Sequence, residues 1–514
     1  MATGTRTGGP AGKPGKPGKP GKPGSTGEPG STGEPGTRGR PTKGGATAAN
    51  ATTGANATTT PATPPRSSRL VRYTVVGGLL LALLAGCGGI TAGVLAGEGY
   101  LPGDSMREVW NTPADDTASA SGNGAWSAGD TLVRSRSDAV TGYDARTGGQ
   151  RWRYEPSGAA VICSVSRTAA DGVALIVQGT PGDPAGGSEG EGKGCADVVA
   201  LDLTAGRELW RATRTAADGE IRAERDVVAV GGGLAVLRDE DHDWRYASAL
   251  GDPGRLDPDR ALRALDLRTG EPRWTARMPG GCVPYGVAAG DRRVSALLAC
   301  DRRDVRLAVL DPADGRVRGT SPLDQRRLVD PLTHTPGFVS ADPLVVSAEG
   351  LDDSGHTSLL SFDGDARPRG RVASGPDNGR ITSPAEEPAL TRVAYGRLYT
   401  VASGAGYDDV ITAFDLRSGQ RLWRVEVADL DDVIGLRVAG GRVTALIDFY
   451  GSTGEDGLLV LDADTGEERD RRTFPDSVGG SSGEVKGVLG HGDRLVVARW
   501  GDGYDPPFTA YEER

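Results

Sequence analysis

The chain has 514 residues and a mass of 53.0 kDa, with 80 Gly, 33 Pro and only 5% aromatic residues. So many turn formers argue against a helical bundle and for many tight turns beside a low-complexity region. Residues 1–72 hold 11 of the 59 Lys/Arg but 2 of the 69 Asp/Glu, which leaves 48 bases against 67 acids in the rest, a net of −19. Such a surface repels phosphate backbones and excludes nucleic acid as a partner of the folded part.

Gly recurs at every third position from Gly9 to Gly39, in triplets such as Gly15-Lys16-Pro17 and Gly27-Glu28-Pro29. The tract, residues 9–41, has the collagen period. It is short and holds no large apolar residue to offset its ordering entropy. Residues 1–72, including the Thr-, Ala- and Pro-rich stretch 42–65, are therefore expected to be a disordered cytoplasmic tail.

Tyr73 to Ala96 is uncharged for 24 residues. At about 1.5 Å per helical residue it spans a hydrocarbon core of about 30 Å, so a single transmembrane helix is expected over 73–96. Its many glycines and lack of a polar face argue against a buried core helix. Arg66, Arg69 and Arg72 precede it while Glu98 and Asp104 follow, which puts the N-terminus in the cytoplasm and the remainder outside the cell membrane. Leu84-Ala85-Gly86-Cys87 resembles a lipobox, whose cleavage would leave an acylated Cys87 and a lipoprotein. The long region ahead of the apolar run and its continuation from Ile90 to Ala96 favour the uncleaved anchor. Either way the C-terminal part is extracytoplasmic. Residues 97–104 read as a linker.

From residue 140 onward one motif repeats. It runs Asp144, Gly148, Trp152; Asp202, Gly206, Trp210; Asp266, Gly270, Trp274; and Asp415, Gly419, Trp423. Asp to Gly and Gly to Trp are each four positions in every copy. Asp311 with Gly315 and Asp462 with Gly466 keep the first half but carry Gly319 and Asp470 in the Trp slot, and Leu360 to Asp363 is a weaker copy. The pattern is a β-hairpin: an apolar strand ending in Asp, a turn whose amides the carboxylate accepts, Gly where φ is positive, and a second strand carrying Trp. Alternating apolar runs such as Val173 to Val177 and Val294 to Leu298 precede each copy, giving four short strands per unit. Units of this kind, recurring every 45 to 64 residues, bury both sheet faces only by stacking on one another.

These repeats resemble the PQQ-like β-propellers, the architecture of quinoprotein alcohol dehydrogenases and of the assembly lipoprotein BamB, over residues 105–514. The resemblance implies an all-β fold and a blade-docking role for Trp152, Trp210, Trp274 and Trp423. The chain ends at Thr509-Ala510-Tyr511-Glu512, with an acid in the anchor slot and one strand missing. Met106 to Thr112, containing Trp110, reads as that missing outer strand, so about eight blades are expected, the last completed by the N-terminal strand.

Cys163, Cys195, Cys282 and Cys300 lie in the exterior part, where an oxidising environment suits disulfides. Four cysteines allow three pairings. Antiparallel neighbouring strands would bring Cys282 and Cys300 together, leaving Cys163 with Cys195.

The resemblance to quinoproteins raises an enzymatic alternative, a divergent PQQ-dependent oxidoreductase. No two cysteines are adjacent, no Glu, Asn and Asp set for Ca²⁺ is assignable, and the four histidines, His242, His334, His356 and His491, lack zinc spacing. Asp239-Glu240-Asp241 and Asp429 to Asp432 lack an EF-hand pattern. No catalytic residue, metal ligand or cofactor is assigned, and the chain reads as a non-enzyme.

The insertions at 180–194, 239–260, 403–408, 450–457 and 501–507 all fall between the second and third strands of a unit, hence on one rim. Elaboration of one face marks a binding surface, with Trp244, Tyr246, Tyr407, Tyr450 and Tyr504 in or beside these loops. The expected function is a membrane-anchored scaffold that binds an envelope protein or cell-wall glycan. Arg far outnumbers Lys after the anchor, a bias of high-GC bacteria, so BamB's role at an outer membrane is not carried over.

Overall fold

The computed structural model describes residues 105–114, 122–180, 194–214, 225–239, 262–279, 282–300, 304–331, 333–351, 355–403, 408–427, 431–449, 456–474, 477–478, 485–500 and 505–513. All belong to one compact unit, Val76–Arg514. The Gly-X-Y tract, Tyr73 to Ala96 with Cys87, and the linker lie outside them. No helix among the described residues is long and apolar enough to cross a membrane.

Eight antiparallel sheets form the eight blades of a β-propeller. Blades 1 to 7 span residues 122–154, 161–213, 228–276, 282–322, 337–373, 380–426 and 431–473, each in chain order from the axis outward, except that in blade 6 Arg380–Ile381 and Thr391–Ala394 both pair with the second strand Arg397–Ser403. Blade 8 takes its inner three strands from 485–513 and its outer one from Met106–Asn111, paired antiparallel to Phe508–Glu513. An edge that would otherwise be open is thus paired by the two ends of the propeller sequence, which closes the ring.

The core is a ring of apolar layers, one at each junction. Ile162, Ala174 and Leu201 of blade 2 pack with Trp126, Val133 and Val140 of blade 1, for example, and similar clusters fill the other seven junctions. Second and third strands are buried on both faces, as in Val173–Thr180 and Leu234–Arg238, and read as continuous apolar runs for that reason. Outer strands such as Gln150–Tyr154 and Val317–Pro322 alternate toward solvent. In blades 1 to 7 the pairing of third and outer strands shifts register just before the anchor Asp. Such bulges increase local twist and re-aim side chains.

Candidate functional site

The repeated motif forms the joints between blades. A Cβ placed on Gly148, Gly270, Gly315 or Gly466 would lie 2.6, 2.7, 2.5 or 2.8 Å from the rings of Trp110, Trp210, Trp274 and Trp423, and one on Gly206 would strike Trp152. Each indole therefore covers the turn glycine of the following blade. These five glycines have φ between 68° and 74°. Three of the indoles also donate N–H bonds to the residue after the next anchor: Trp210 to the Leu267 carbonyl at 2.9 Å, Trp274 to Pro312 at 2.8 Å and Trp423 to Ala463 at 3.1 Å. Across the hairpin, Trp152 faces Gly142, while Trp210, Trp274, Trp423 and Trp110 face Ala200, Ala264, Ala413 and Ala510. Where the Trp is lost, Gly319 faces Val309 and Asp470 faces Val460. A small residue two places before the anchor is a sequence signal for docking that the Asp–Gly–Trp reading missed.

The anchors are turn carboxylates. Asp144 accepts the amides of Arg146 and Thr147 at 2.9 and 3.1 Å, and Asp202, Asp266 and Asp462 repeat the arrangement. A second feature was overlooked in the sequence. An Arg seven positions on, Arg151, Arg273, Arg318 or Arg469, donates to the outer oxygen of Asp144, Asp266, Asp311 or Asp462. The copies at Asp202 and Asp415 carry Leu209 and Leu422 there instead. Hydrogen bonds from Arg273 and Arg469, then from the amides of Thr269 and Thr465, pull Asp266 and Asp462 down to about 2. Asp415 is held low by Ser418, with Gly419 completing its turn at φ 71°.

Two concave regions stand on this frame. The first, a cavity of about 300 Å³, lies along the inner strands of blades 2 to 5. Asp226 knits its wall together. Its carboxylate accepts Arg167 at 3.0 Å and the Phe338 amide at 3.3 Å, and its carbonyl accepts the Val287 amide at 2.8 Å. One residue entering blade 3 thereby ties down blades 2, 4 and 5.

The second region lies at the end of blades 5 and 6 where second strands meet third strands, and encloses about 280 Å³ lined by Glu349, His356, Thr357, Arg380, Ser383 and Glu387 among others. The Glu349 carboxylate accepts the Ser383 hydroxyl at 2.8 Å and the Thr357 hydroxyl at 3.0 Å. Nearby, Asp409 accepts the Val433 amide at 2.8 Å, yet burial, with Asp432 and Glu387 adding to it, pushes its carboxyl up to about 6.

Both disulfides flank the same rim. Cys163–Cys195 joins the first and third strands of blade 2, with Cys195 next to the 181–193 connection; Cys282–Cys300 joins two directly opposed residues of blade 4. Trp244, Tyr246, Tyr407, Tyr450 and Tyr504 all lie outside the described residues. So do His242, Glu240 and Asp241, whereas Asp239 pairs with Arg263. His334 is bonded to Asp330 and His491 stands 3.4 Å from Asp130; with His356 they are half-buried. Among the described residues no three His, Cys, Asp or Glu side chains form a metal-ligand group.

Residues 101–242, 194–357 and 383–513 match the family model described as outer membrane protein assembly factor BamB. No curated protein matches the sequence. Among solved structures, BamB from Moraxella catarrhalis is similar over 79% of this chain and 99% of its own, at 15% identity and a TM-score of 0.42. The quinohemoprotein alcohol dehydrogenase ADHIIG from Pseudomonas putida HK5 matches over 79% and 76%, at 12% identity and a TM-score of 0.43. The enzyme of the same name from Comamonas testosteroni matches over 79% and 76%, at 14% identity and 0.40. The chain belongs to the family of the outer membrane protein assembly factor BamB, an eight-bladed propeller of PQQ-like repeats.

Proposed function

We propose that this protein is a non-catalytic scaffold held at the outer face of a cell membrane, which presents one rim of its propeller to an envelope protein or cell-wall glycan. The observation that carries this reading is the concentration of elaboration at one rim. The connections through 181–193, 240–261, 404–407, 450–455 and 501–504 leave from strand ends on that side, and the two disulfides flank it, while the opposite side has tight turns. Loops on a rigid frame are where repeat folds place recognition. The uncharged stretch Tyr73 to Ala96 behind Arg66, Arg69 and Arg72 supports the anchor and its orientation. Membership of a family described by an outer membrane assembly factor supports a partner that is itself a protein.

The test is capture from the producing cell's envelope fraction by the full chain and by a variant with Trp244, Tyr450 and Tyr504 changed to Ala. Recovery of one partner by the native chain, lost in the variant at unchanged melting temperature, is expected. A variant that melts early and binds normally when folded would move the surface elsewhere. Dehydrogenase activity on adding PQQ and Ca²⁺ would replace the scaffold reading with the enzymatic one.

A further inference from the structure

The amide nitrogen that follows an Asp or Asn can attack that residue's own side chain, and a following Gly, with no Cβ to crowd the approach, leaves the nitrogen open. Six such pairs with Gly fall among the described residues, and five of them are locked. Asp314 accepts the Arg316 amide at 2.9 Å, and the amide of Gly315 donates to the Asp311 carbonyl at 2.9 Å. Asp363 accepts the amides of Asp365 and Arg367, each at 2.9 Å. Asn378 donates to the Ala373 carbonyl at 3.0 Å, and the Gly379 amide to Gly375 at 2.8 Å. Asp456 is 2% exposed, and its carboxylate takes the Ser477 hydroxyl and the Val478 amide. Asn123 and Gly124 lie inside the strand Gly122–Ala128, with Gly124 opposite Ser135.

Asp171-Gly172 is the exception. The pair forms the tip of the inner hairpin of blade 2, between Ala170 and Val173, which exchange hydrogen bonds of 3.0 and 2.8 Å. Asp171 has φ 51° and Gly172 φ 72°, so both central residues of the turn are left-handed, as a two-residue hairpin loop requires. The Asp171 side chain is exposed, and among the described residues neither its carboxylate nor the Gly172 amide has a hydrogen-bond or ion-pair partner. The space beside the turn is open too: a Cβ on Gly172 would meet nothing nearer than Thr204, at 3.9 Å. The carbonyl between the two residues, by contrast, is engaged. The guanidinium of Arg268, in the anchor turn of blade 3, donates to the Asp171 carbonyl oxygen. When the Gly172 amide gives up its proton, the negative charge is shared with that oxygen, and a cationic donor placed on it favours the reactive form.

We propose that Asp171-Gly172 is a site of spontaneous isomerisation to isoaspartate, promoted by Arg268. The Gly172 nitrogen passes its proton to water and bonds to the side-chain carboxyl carbon of Asp171, which loses its hydroxyl as water and leaves a five-membered imide. Water then opens the ring. Addition at the former side-chain carbonyl restores aspartate, and addition at the main-chain carbonyl leaves isoaspartate, with the chain now running through the side chain. One water leaves and one returns, and nothing is oxidised or reduced. The product lengthens the turn by one methylene, which disturbs the paired bonds of Ala170 and Val173 and the bond of 2.8 Å from the Leu203 amide to the Gly172 carbonyl. The site lies among the tight turns, away from the long-loop rim, and does not depend on the scaffold reading. The test is incubation of the full chain at neutral pH and physiological temperature, followed by digestion and mass spectrometry that separates isoaspartate from aspartate. Isoaspartate at Asp171 is expected at least tenfold above that at Asp314 and Asp363, with the converted protein melting lower than the fresh one. Arg268→Met should slow the conversion at least threefold, Arg268→Lys should keep part of the rate, and Asp171→Asn should reach the same isoaspartate faster, with ammonia leaving instead of water. The proposal is overturned if Asp171 converts no faster than Asp314 and Asp363, if Arg268→Met leaves the rate unchanged or raises it, or if Asp171→Asn yields no isoaspartate.

Discussion

The indole of Trp423 lies over Gly466 of the next blade and donates its N–H to Ala463 at 3.1 Å, so a Cβ on Gly466 would sit 2.8 Å from the ring. Gly466 has φ 74°, and Gly441, with φ 72°, has nothing within 4 Å of its would-be Cβ. Both substitutions to Ala incur about 1–2 kcal/mol for the left-handed backbone. Gly466→Ala should cost about 1–3 kcal/mol more, because the indole has to leave its seat. Denaturant melts of the two variants measure the difference; equal losses would show that Trp423 moves freely.

Trp423→Ala removes a side chain that is 8% exposed together with its hydrogen bond to blade 7. A loss of about 3–5 kcal/mol is expected. Trp423→Phe should recover most of it and leave about 1 kcal/mol for the missing N–H bond. Trp210→Ala should behave like Trp423→Ala, since its indole makes the same bond to Leu267.

Acid should unfold the propeller partly through its turn carboxylates. Asp266 and Asp462 are held near 2, below the ordinary 3.8, so the stability they contribute is present above about pH 4 and is lost as pH falls toward 2. Asp266→Asn and Asp462→Asn should therefore lower the melting temperature at pH 7 and lower it much less at pH 2.

Asp409 has the opposite sign. Its folded value of about 6 lies above 3.8, so its contribution is full below about pH 4 and is lost as pH rises through 6. Asp409→Asn keeps an acceptor for the Val433 amide and should stabilise the protein at pH 7 but not at pH 4. Parallel melting curves at both pH values would contradict this.

The two disulfides close loops with sequence separations of 32 and 18. Chain entropy assigns each about 3–4 kcal/mol. Reduction should lower the melting temperature, and replacing Cys282 and Cys300 by Ser should remove part of that sensitivity while leaving the response of Cys163–Cys195. A melting temperature indifferent to reductant would place the stability elsewhere.

Loss of the strand Met106–Asn111 should destabilise the whole ring. Met106 and Trp110 are 4% and 8% exposed, so about 3–6 kcal/mol of burial goes with them, and the strand Phe508–Glu513 becomes an open edge. Deleting residues 105–112 is expected to lower the denaturant midpoint and to cause self-association visible by light scattering.

The spacing of Asp, Gly and Trp determined the blades, because a hairpin is local: its turn, its strand lengths and its docking residue all lie within about ten positions. The missing last strand and the orphan segment around Trp110 determined the closure in the same way, by counting strands. The partners of Asp226 could not be read so. Arg167 is 59 residues before it and Phe338 is 112 after it, in blades that meet only because the ring closes around an axis. Local backbone physics writes a period into the sequence, whereas contacts across the axis depend on the number, tilt and stagger of the blades, and those were decided only by packing the eight sheets together.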